Sequence, residues 1–179
     1  MERHKAVALI DMQDSFLRFH TRRSREELIK FQSEILEYCA ENHLPVLNFQ
    51  YQGHPETIYE LDSLLRNVPY GYDFRKFSFN GFSNHNAVQS VRDLNVKDMF
   101  LMGINKHACV MSTSKSALRL GINIYTAPEV IKDPVNTSDY ISNYADRWFE
   151  ESGFYRPGSF WKDFTATYNN IERLLTEEF

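Results

Sequence analysis

Short apolar runs alternate with amphipathic stretches along this 179-residue chain, and this alternation constrains the fold more than any other feature. Strands covered on both faces are rich in Val, Ile, Leu, Phe or Met and lack strict alternation of apolar and polar residues. Four runs have this composition: Ala6–Ile10, Pro45–Phe49, Met99–Met102 and Ile122–Thr126. The pattern of strands separated by helical stretches predicts an α/β protein.

Between these runs, apolar residues recur at spacings of three and four over Arg25–His43, Asn84–Leu94 and Val110–Leu120. The spacing predicts helices that connect one strand to the next. Because such crossovers are right-handed, they predict a doubly wound, three-layer αβα sandwich with a mostly parallel sheet of about six strands. The ligand crevice of such a sheet lies at the carboxyl ends of its strands.

The C-terminal part of the chain is rich in aromatic residues from Asn136 to Trp161 and has a turn at Pro157–Gly158. We expect a helix and then a loop in this segment. A last strand near Phe164–Thr167 and a terminal helix from Asn169 complete the predicted fold, which forms a single domain over residues 1–179.

Composition excludes several classes of partner. The net charge is −4 with a pI near 5.9, and no cluster of Lys and Arg is present that would bind a phosphate backbone, so we expect no nucleic-acid partner. No apolar run near the start approaches the roughly 20 residues of a membrane helix, so we expect no membrane association. The two cysteines, Cys39 and Cys109, favour a reducing compartment, and we predict the cytoplasm.

Three residues lie at positions where catalytic side chains of a doubly wound sheet are expected. Asp11 directly follows the first predicted strand, where it is either a turn residue or a catalytic carboxylate. Cys109 stands at a predicted helix start, where free N–H groups and the helix dipole would stabilise a thiolate; a buried small side chain is the alternative. Lys76 lies in an apolar, aromatic stretch and either reaches solvent or brings a positive charge into the crevice that lowers the thiol pKa.

The three positions lie in segments that resemble the motifs of the isochorismatase-like cysteine hydrolases, a superfamily that includes nicotinamidases. The resemblance covers nearly the whole chain. It is carried by the segment Ile10–Phe16, by Arg75 and Lys76 with Phe82 six residues on, and by Gly103 and Ile104 followed by Cys109, Val110 and Thr113.

The resemblance implies a role for each of these residues. Cys109 would attack a carbonyl carbon and form a thioester, Asp11 would transfer the protons, and Lys76 would balance their charges. The N–H groups of Ala108 and Cys109 would form the oxyanion hole. A cis peptide bond would lie between Asn105 and Lys106, and the chain would assemble as a homo-oligomer.

The chain departs from nicotinamidases in its metal site and in the segment before the nucleophile. Nicotinamidases have a metal-binding Asp-x-His and a second His after the second strand, whereas this chain has His54 alone there, so we predict no catalytic metal and no cofactor. His54 is then a loop residue or a hydrogen-bond donor in the pocket wall. Lys106 and His107 also differ from many amidases of the family, and His107 is either a substrate contact or a structural donor.

These observations predict a hydrolase that cleaves the C–N bond of a small-molecule amide. The predicted substrate-binding residues are Gln13, Phe16, Gln50, Tyr51, Phe79, Asn80, Phe82 and His107. A non-catalytic protein of the same fold that binds a small metabolite or a partner is the alternative, because the changed residues before Cys109 could disable the oxyanion hole. A third hypothesis is an aspartate-dependent phosphatase or receiver-like domain, which would use Asp11 and Lys76 with Mg²⁺ and leave Cys109 idle.

Overall fold

The computed structural model describes residues 4–152, 154–155, 161 and 164. The strands and helices follow in the order β1 (Lys5–Ile10), α1 (Asp14–Leu17), α2 (Arg22–Glu41), β2 (Val46–Tyr51), α3 (Tyr59–Leu65), β3 (Gly71–Lys76), α4 (His85–Asp93), β4 (Asp98–Ile104), α5 (Met111–Arg119), β5 (Asn123–Thr126), β6 (Ile131–Lys132), α6 (Asp139–Ser152) and β7 (Phe154–Tyr155). A 3₁₀ turn over Gly81–Ser83 precedes α4. A π-helical turn over Lys106–Val110 leads directly into α5.

The strands form one sheet in the order β3-β2-β1-β4-β5-β7, and β6 pairs with the end of β4. Every strand pair in the described part of the chain is parallel. The chain starts in the middle of the sheet, builds outward to β3, and then returns to the other side of β1 with β4. With right-handed crossovers, this order puts helices on both faces of the sheet, so the predicted doubly wound α/β fold is confirmed.

The central strands β1 and β4 carry the core. All residues of β1 after Lys5, and all of β4 after Asp98, are buried, which explains their continuous apolar composition. Their register pairs Ile10 with Gly103. The Gly103 backbone has φ +139°, and a Cβ there would lie 2.1 Å from the Ile10 carbonyl oxygen, so only glycine permits this close approach. The ends of β1 and β4 are therefore held together.

The predicted strands and helices agree with the structure to within a few residues at each end. The sequence pattern did not predict α1, α3, β6 and β7, which are short, and the four predicted strands do not include β3, which is partly exposed. The predicted turn at Pro157–Gly158 and the terminal helix from Asn169 lie outside the described residues. So does the predicted last strand near Phe164–Thr167, apart from Phe164, which is helical. No helix in the described part of the chain combines the length and apolar composition needed to cross a membrane.

Candidate active site

The structure brings the three predicted catalytic side chains together at the carboxyl edge of the sheet. Asp11 directly follows β1, Lys76 is the last residue of β3, and Cys109 lies in the π-helical turn after β4. The Lys76 Nζ lies 2.7 Å from Asp11 Oδ2, and both side chains interact electrostatically with the Cys109 thiol. Residues 33 to 98 positions apart in the chain therefore form one contiguous cluster, because parallel strands end at the same edge of a sheet.

Backbone contacts fix Asp11 at the end of β1. Its N–H donates to the Phe49 carbonyl at 2.9 Å, and its carbonyl accepts from the Gln13 N–H at 2.7 Å. Its φ of +53° is left-handed, a conformation that Asp adopts more readily than most residues. The chain thus turns sharply at the residue that carries the carboxylate.

Lys76 is fully buried, which rules out the alternative that it reaches solvent. Its ammonium group donates to the Ser78 carbonyl at 3.1 Å and lies 4.5 Å from the centre of the Tyr51 ring. The Asp11 carboxylate forms an ion pair with the ammonium, and the ring adds a cation–π contact. The buried positive charge therefore has an anionic, a carbonyl and an aromatic partner.

The thiol of Cys109 is held in its protonated form. Burial and the negative charge of Asp11 raise the pKa of Cys109 to about 12, and the positive charge of Lys76 only partly offsets them. Burial also raises the pKa of Asp11, although Lys76 and the Cys109 hydrogen bond lower it. The expectation that Lys76 and the helix start stabilise a thiolate is therefore wrong for the resting state, because burial and the charge of Asp11 together outweigh the charge of Lys76.

The π-helical turn changes which N–H groups are bonded around Cys109. The Asn105 carbonyl accepts the N–H of Ala108 at 3.1 Å and of Val110 at 3.2 Å. The Cys109 N–H, which would use this carbonyl in an α-helix, does not bond to it. The Ala108 N–H is thus already occupied, and of the two predicted oxyanion-hole donors the structure favours Cys109.

The non-proline cis peptide bond lies between Ile104 and Asn105, so its predicted position between Asn105 and Lys106 is wrong by one residue. Strand β4 continues to Ile104, two residues further than the sequence pattern indicated, and Lys106 already begins the helical turn. The connection is therefore the single residue Asn105, and the cis bond joins it to the strand.

Gln13 and Gln50, two of the predicted substrate contacts, bond to the scaffold. The Gln13 side chain is fully buried, accepts from the Tyr51 N–H at 2.8 Å and donates to the carbonyls of Tyr51 and Pro55. Gln50 is also buried and donates to Asp73 at 3.3 Å. Both amides tie elements of the scaffold together, and Gln13 in particular fixes the loop after β2.

The aromatic residues predicted to contact the substrate differ in their burial. Phe16 and Tyr51 are half-buried, with ring centroids 6.0 Å apart, beside Lys76. Phe79 is 59% exposed. Phe82 is buried against Phe49, which favours a core role, and its contact with a substrate stays a prediction.

Asn80 has a structural role in the loop after Lys76. Its side chain caps the 3₁₀ turn by accepting the N–H of Phe82 at 2.9 Å. The neighbouring Gly81 N–H donates to Thr113 on α5 at 2.9 Å. This loop therefore connects Lys76 to the helix that follows Cys109.

A second polar cluster supports the nucleophile turn, and sequence reasoning missed its acidic members. Asp133 accepts from the His107 N–H at 2.9 Å and lies 2.7 Å from the His107 Nδ1. Lys106 donates to Asp146 on α6 at 2.7 Å and lies 3.8 Å from Asp133. These contacts favour the structural role for His107 over the substrate contact. Only the position of Asp133 directly before a proline, a turn signal, marks it in the sequence.

The residues near the nicotinamidase-type metal position do not fit a metal. The His54 Nδ1 pairs with Ser15 Oγ at 2.8 Å, and Asn48 donates its amide to Thr57 and Asp73. An amide that donates through nitrogen to a carboxylate is not arranged as a ligand. Across the described ranges, His, Cys, Asp and Glu form no group of three that could hold a metal ion.

Comparison with known proteins places this arrangement in a family. The model of the isochorismatase domain matches residues 5–134, which include all three clustered side chains. No curated protein sequence matches the chain significantly.

Solved structures share the fold at low sequence identity. The MAR1 ribonuclease from Caenorhabditis elegans superposes with a TM-score of 0.75 at 19% identity, covering 88% of this chain and 78% of that one. A nicotinamidase from Staphylococcus aureus gives 0.71 at 14% identity, covering 85% and 98%. The N-carbamoylsarcosine amidase from Thermoplasma acidophilum gives 0.69 at 17% identity, covering 86% and 95%. The family model spans most of the chain and includes Asp11, Lys76 and Cys109, so this protein belongs to the isochorismatase-like hydrolase family.

Proposed function

We propose that this protein is a cysteine hydrolase that cleaves the C–N bond of a small amide through a thioester on Cys109, without a catalytic metal. The observation that supports the proposal is the buried contact of Asp11, Lys76 and Cys109, in which a carboxylate held by a lysine touches a protonated thiol. A nucleophile beside a base, with a third group that orients the base, is the arrangement required for covalent catalysis.

In the proposed reaction, Asp11 takes the thiol proton while the sulfur of Cys109 bonds to the amide carbonyl carbon. The Cys109 N–H stabilises the negative oxygen of the tetrahedral intermediate. Asp11 then gives its proton to the nitrogen, the C–N bond breaks, and ammonia or an amine leaves. Water attacks the thioester while Asp11 takes a proton from it, and the acid product and the free thiol are released.

Lys76 has two tasks in this sequence. Burial raises the pKa of Asp11, and the charge of Lys76 acts against this effect, which favours the carboxylate form that accepts the thiol proton. The lysine also lowers the free energy of the transient thiolate, whose charge forms within hydrogen-bonding distance. Without this charge, the buried site would favour a neutral acid and a neutral thiol, which do not react.

Two of the structural neighbours are a nicotinamidase and an N-carbamoylsarcosine amidase. These neighbours favour amides as the first substrates to test. The departures at Lys106 and His107 lie in the turn that carries the nucleophile, so the substrate is proposed as a class and no single compound is named.

The test is ammonia release from a panel of small primary amides, with hydroxylamine added in parallel reactions. A thioester intermediate transfers its acyl group to hydroxylamine, so an active substrate should yield the hydroxamate as well as the acid. Cys109→Ala should abolish both products. Cys39→Ala is the matched control, because Cys39 is a buried thiol on α2 away from the acid and the lysine.

Turnover that survives Cys109→Ala, or the absence of turnover for the whole panel, would overturn the proposal. Ligand-induced stabilisation without turnover would favour the non-catalytic alternative.

The proposed location is the cytoplasm, where a nucleophilic thiol stays reduced. Both cysteines of the described chain are free.

A further inference from the structure

His54 occupies a fixed position in the loop after β2. Its Nδ1 lies 2.8 Å from the hydroxyl oxygen of Ser15 on α1. Its ring packs on Phe16 with centroids 4.5 Å apart and meets the edge of Tyr51 at 5.7 Å. An imidazole held by a hydrogen bond and two aromatic rings has little rotational freedom left.

The loop that carries His54 is itself anchored on both sides. The Gln13 side chain bonds to the Tyr51 backbone before His54 and to the Pro55 carbonyl after it. Further along, Gln13 pairs with Thr57 in a single β-bridge. The buried amide therefore fixes the loop as well as the ring, so the position of His54 does not depend on a ligand.

One aromatic ring connects His54 to the proposed reacting groups. The Tyr51 ring that it contacts is 4.5 Å from the Lys76 Nζ. The imidazole therefore lies on the other side of Tyr51 from Lys76 or at its edge, and it forms no part of the Asp11, Lys76 and Cys109 cluster.

One ring nitrogen remains available. The Nδ1 is paired with Ser15, whereas the Nε2 has no hydrogen bond within the described residues. The side chain is half-buried, so solvent or a small ligand can reach it. A neutral imidazole offers either a donor or an acceptor at this atom, depending on its tautomer.

We propose that His54 determines substrate specificity by hydrogen-bonding, through Nε2, a polar atom in the part of the amide away from the reacting carbonyl. The Phe16 ring beside it packs against the body of the substrate. The inference rests on the proposed function and narrows its substrate class to compact amides that carry a second hydrogen-bonding atom, in preference to purely apolar amides of the same shape.

The experiment compares isosteric amides that differ by one polar atom, such as benzamide with the three pyridinecarboxamides and butyramide with 3-hydroxypropionamide. In the native protein, kcat/KM should favour the polar member of at least one pair about five- to tenfold, the effect of one hydrogen bond. His54→Leu should reduce that ratio to near one, mainly through KM, and Ser15→Ala should reduce it partway. His43→Asn, a change at an exposed histidine before β2, is the control and should leave the ratio unchanged.

A binding measurement separates failure of this inference from failure of the proposed function. In Cys109→Ala protein, nitrogen NMR of the labelled His54 ring should show a shift of Nε2 on addition of the preferred polar amide, and no shift with its apolar partner. Turnover with an unchanged ratio in His54→Leu, or binding that leaves Nε2 unshifted, would overturn the inference. Absence of turnover by the native protein would overturn the proposed function.

Discussion

At the scale of single residues, the main question is how a buried thiol can react. With the pKa of Cys109 raised to about 12, very little thiolate exists at neutral pH. In the proposed reaction, the thiol proton therefore moves to Asp11 as the sulfur attacks, which requires Asp11 in its ionised form. Burial raises the pKa of Asp11 and Lys76 lowers it, so we expect the lysine to shift the active pH range to lower values.

Replacement of Lys76 by methionine tests this dependence. Lys76→Met keeps the length of the side chain and removes its charge, so the pKa of Asp11 should rise further. Activity is present above the pKa of Asp11 and is lost as the pH falls through it, so the acid limb of kcat/KM should move to higher pH. At neutral pH turnover should fall by at least about 100-fold. The pH profile and 13C NMR of the Asp11 carboxyl measure the two effects.

Lys115→Met is the matched control, since Lys115 also lies over an aromatic ring, Trp148 at 5.3 Å. It should leave the profile unchanged. An unshifted acid limb in Lys76→Met would mean that the lysine does not control the ionisation of Asp11.

The sequence could predict Asp11 and Cys109 because each follows a recognisable apolar strand, and Lys76 because it is a charged residue in an apolar, aromatic stretch. It could not predict the state of the thiol, which depends on the distances among the three groups. Gln13 and Gln50 were assigned to the substrate because they are polar and near strand ends. Their partners, such as Asp73 on β3, lie on other segments, and no local pattern in the sequence reveals them.

At the scale of elements, the nucleophile turn depends on an acceptor from a distant loop. Asp133 accepts from the backbone N–H of His107 and contacts its ring, so it caps the helical segment that contains Cys109. Asp133→Ala should lower the free energy of unfolding by about 1 kcal/mol, as for the loss of a helix cap. It should also lower kcat about tenfold with little change in KM, because the Cys109 N–H acts in the transition state of the proposed reaction.

Asp133→Asn provides the comparison, because the asparagine oxygen can still accept from the His107 N–H. It should restore most of kcat, as measured by steady-state kinetics beside urea unfolding. A normal kcat in a destabilised Asp133→Ala protein would limit the role of Asp133 to folding. This cap was not predictable, because it joins residues 26 positions apart through the two-residue strand β6.

The predicted helices are long enough for the three- and four-residue spacing of their apolar residues to be visible, and the predicted strands are continuous apolar runs. Helix α2 has 20 residues and an apolar face, and its N-cap Thr21 accepts from the Ser24 N–H at 3.1 Å. Helix α1 has four residues and β6 has two, too few for any period to be visible. The missed elements are nevertheless important for the site, since α1 carries Ser15 and Phe16.

At the scale of the whole molecule, the order of the strands explains why distant motifs meet. The right-handed crossover rule was enough to predict a doubly wound sheet and its crevice. The prediction of a homo-oligomer stays a prediction. Helix α6 exposes Tyr140 and Tyr144, which are 82% and 51% accessible and would suit a contact between copies.

The last test concerns Gly103, because the contact between β1 and β4 at this glycine joins the two central strands and positions Asp11. Gly103→Ala would place a Cβ 2.1 Å from the Ile10 carbonyl oxygen and force the two strands apart. It should lower the free energy of unfolding by about 3 kcal/mol or more, from the sum of backbone strain and overpacking. Activity should fall with it, because Asp11 follows Ile10 and would move away from Cys109.

Gly121→Ala separates the contribution of backbone strain from that of overpacking. Gly121 also has a positive φ, +77°, but a Cβ there meets no atom within 4 Å, so only backbone strain of about 1 kcal/mol applies. Urea unfolding curves with equal slopes measure both changes. Equal destabilisation by the two substitutions would show that the strand contact at Gly103 can relax. The close pairing of β1 with β4 would then not determine the position of Asp11 next to the thiol.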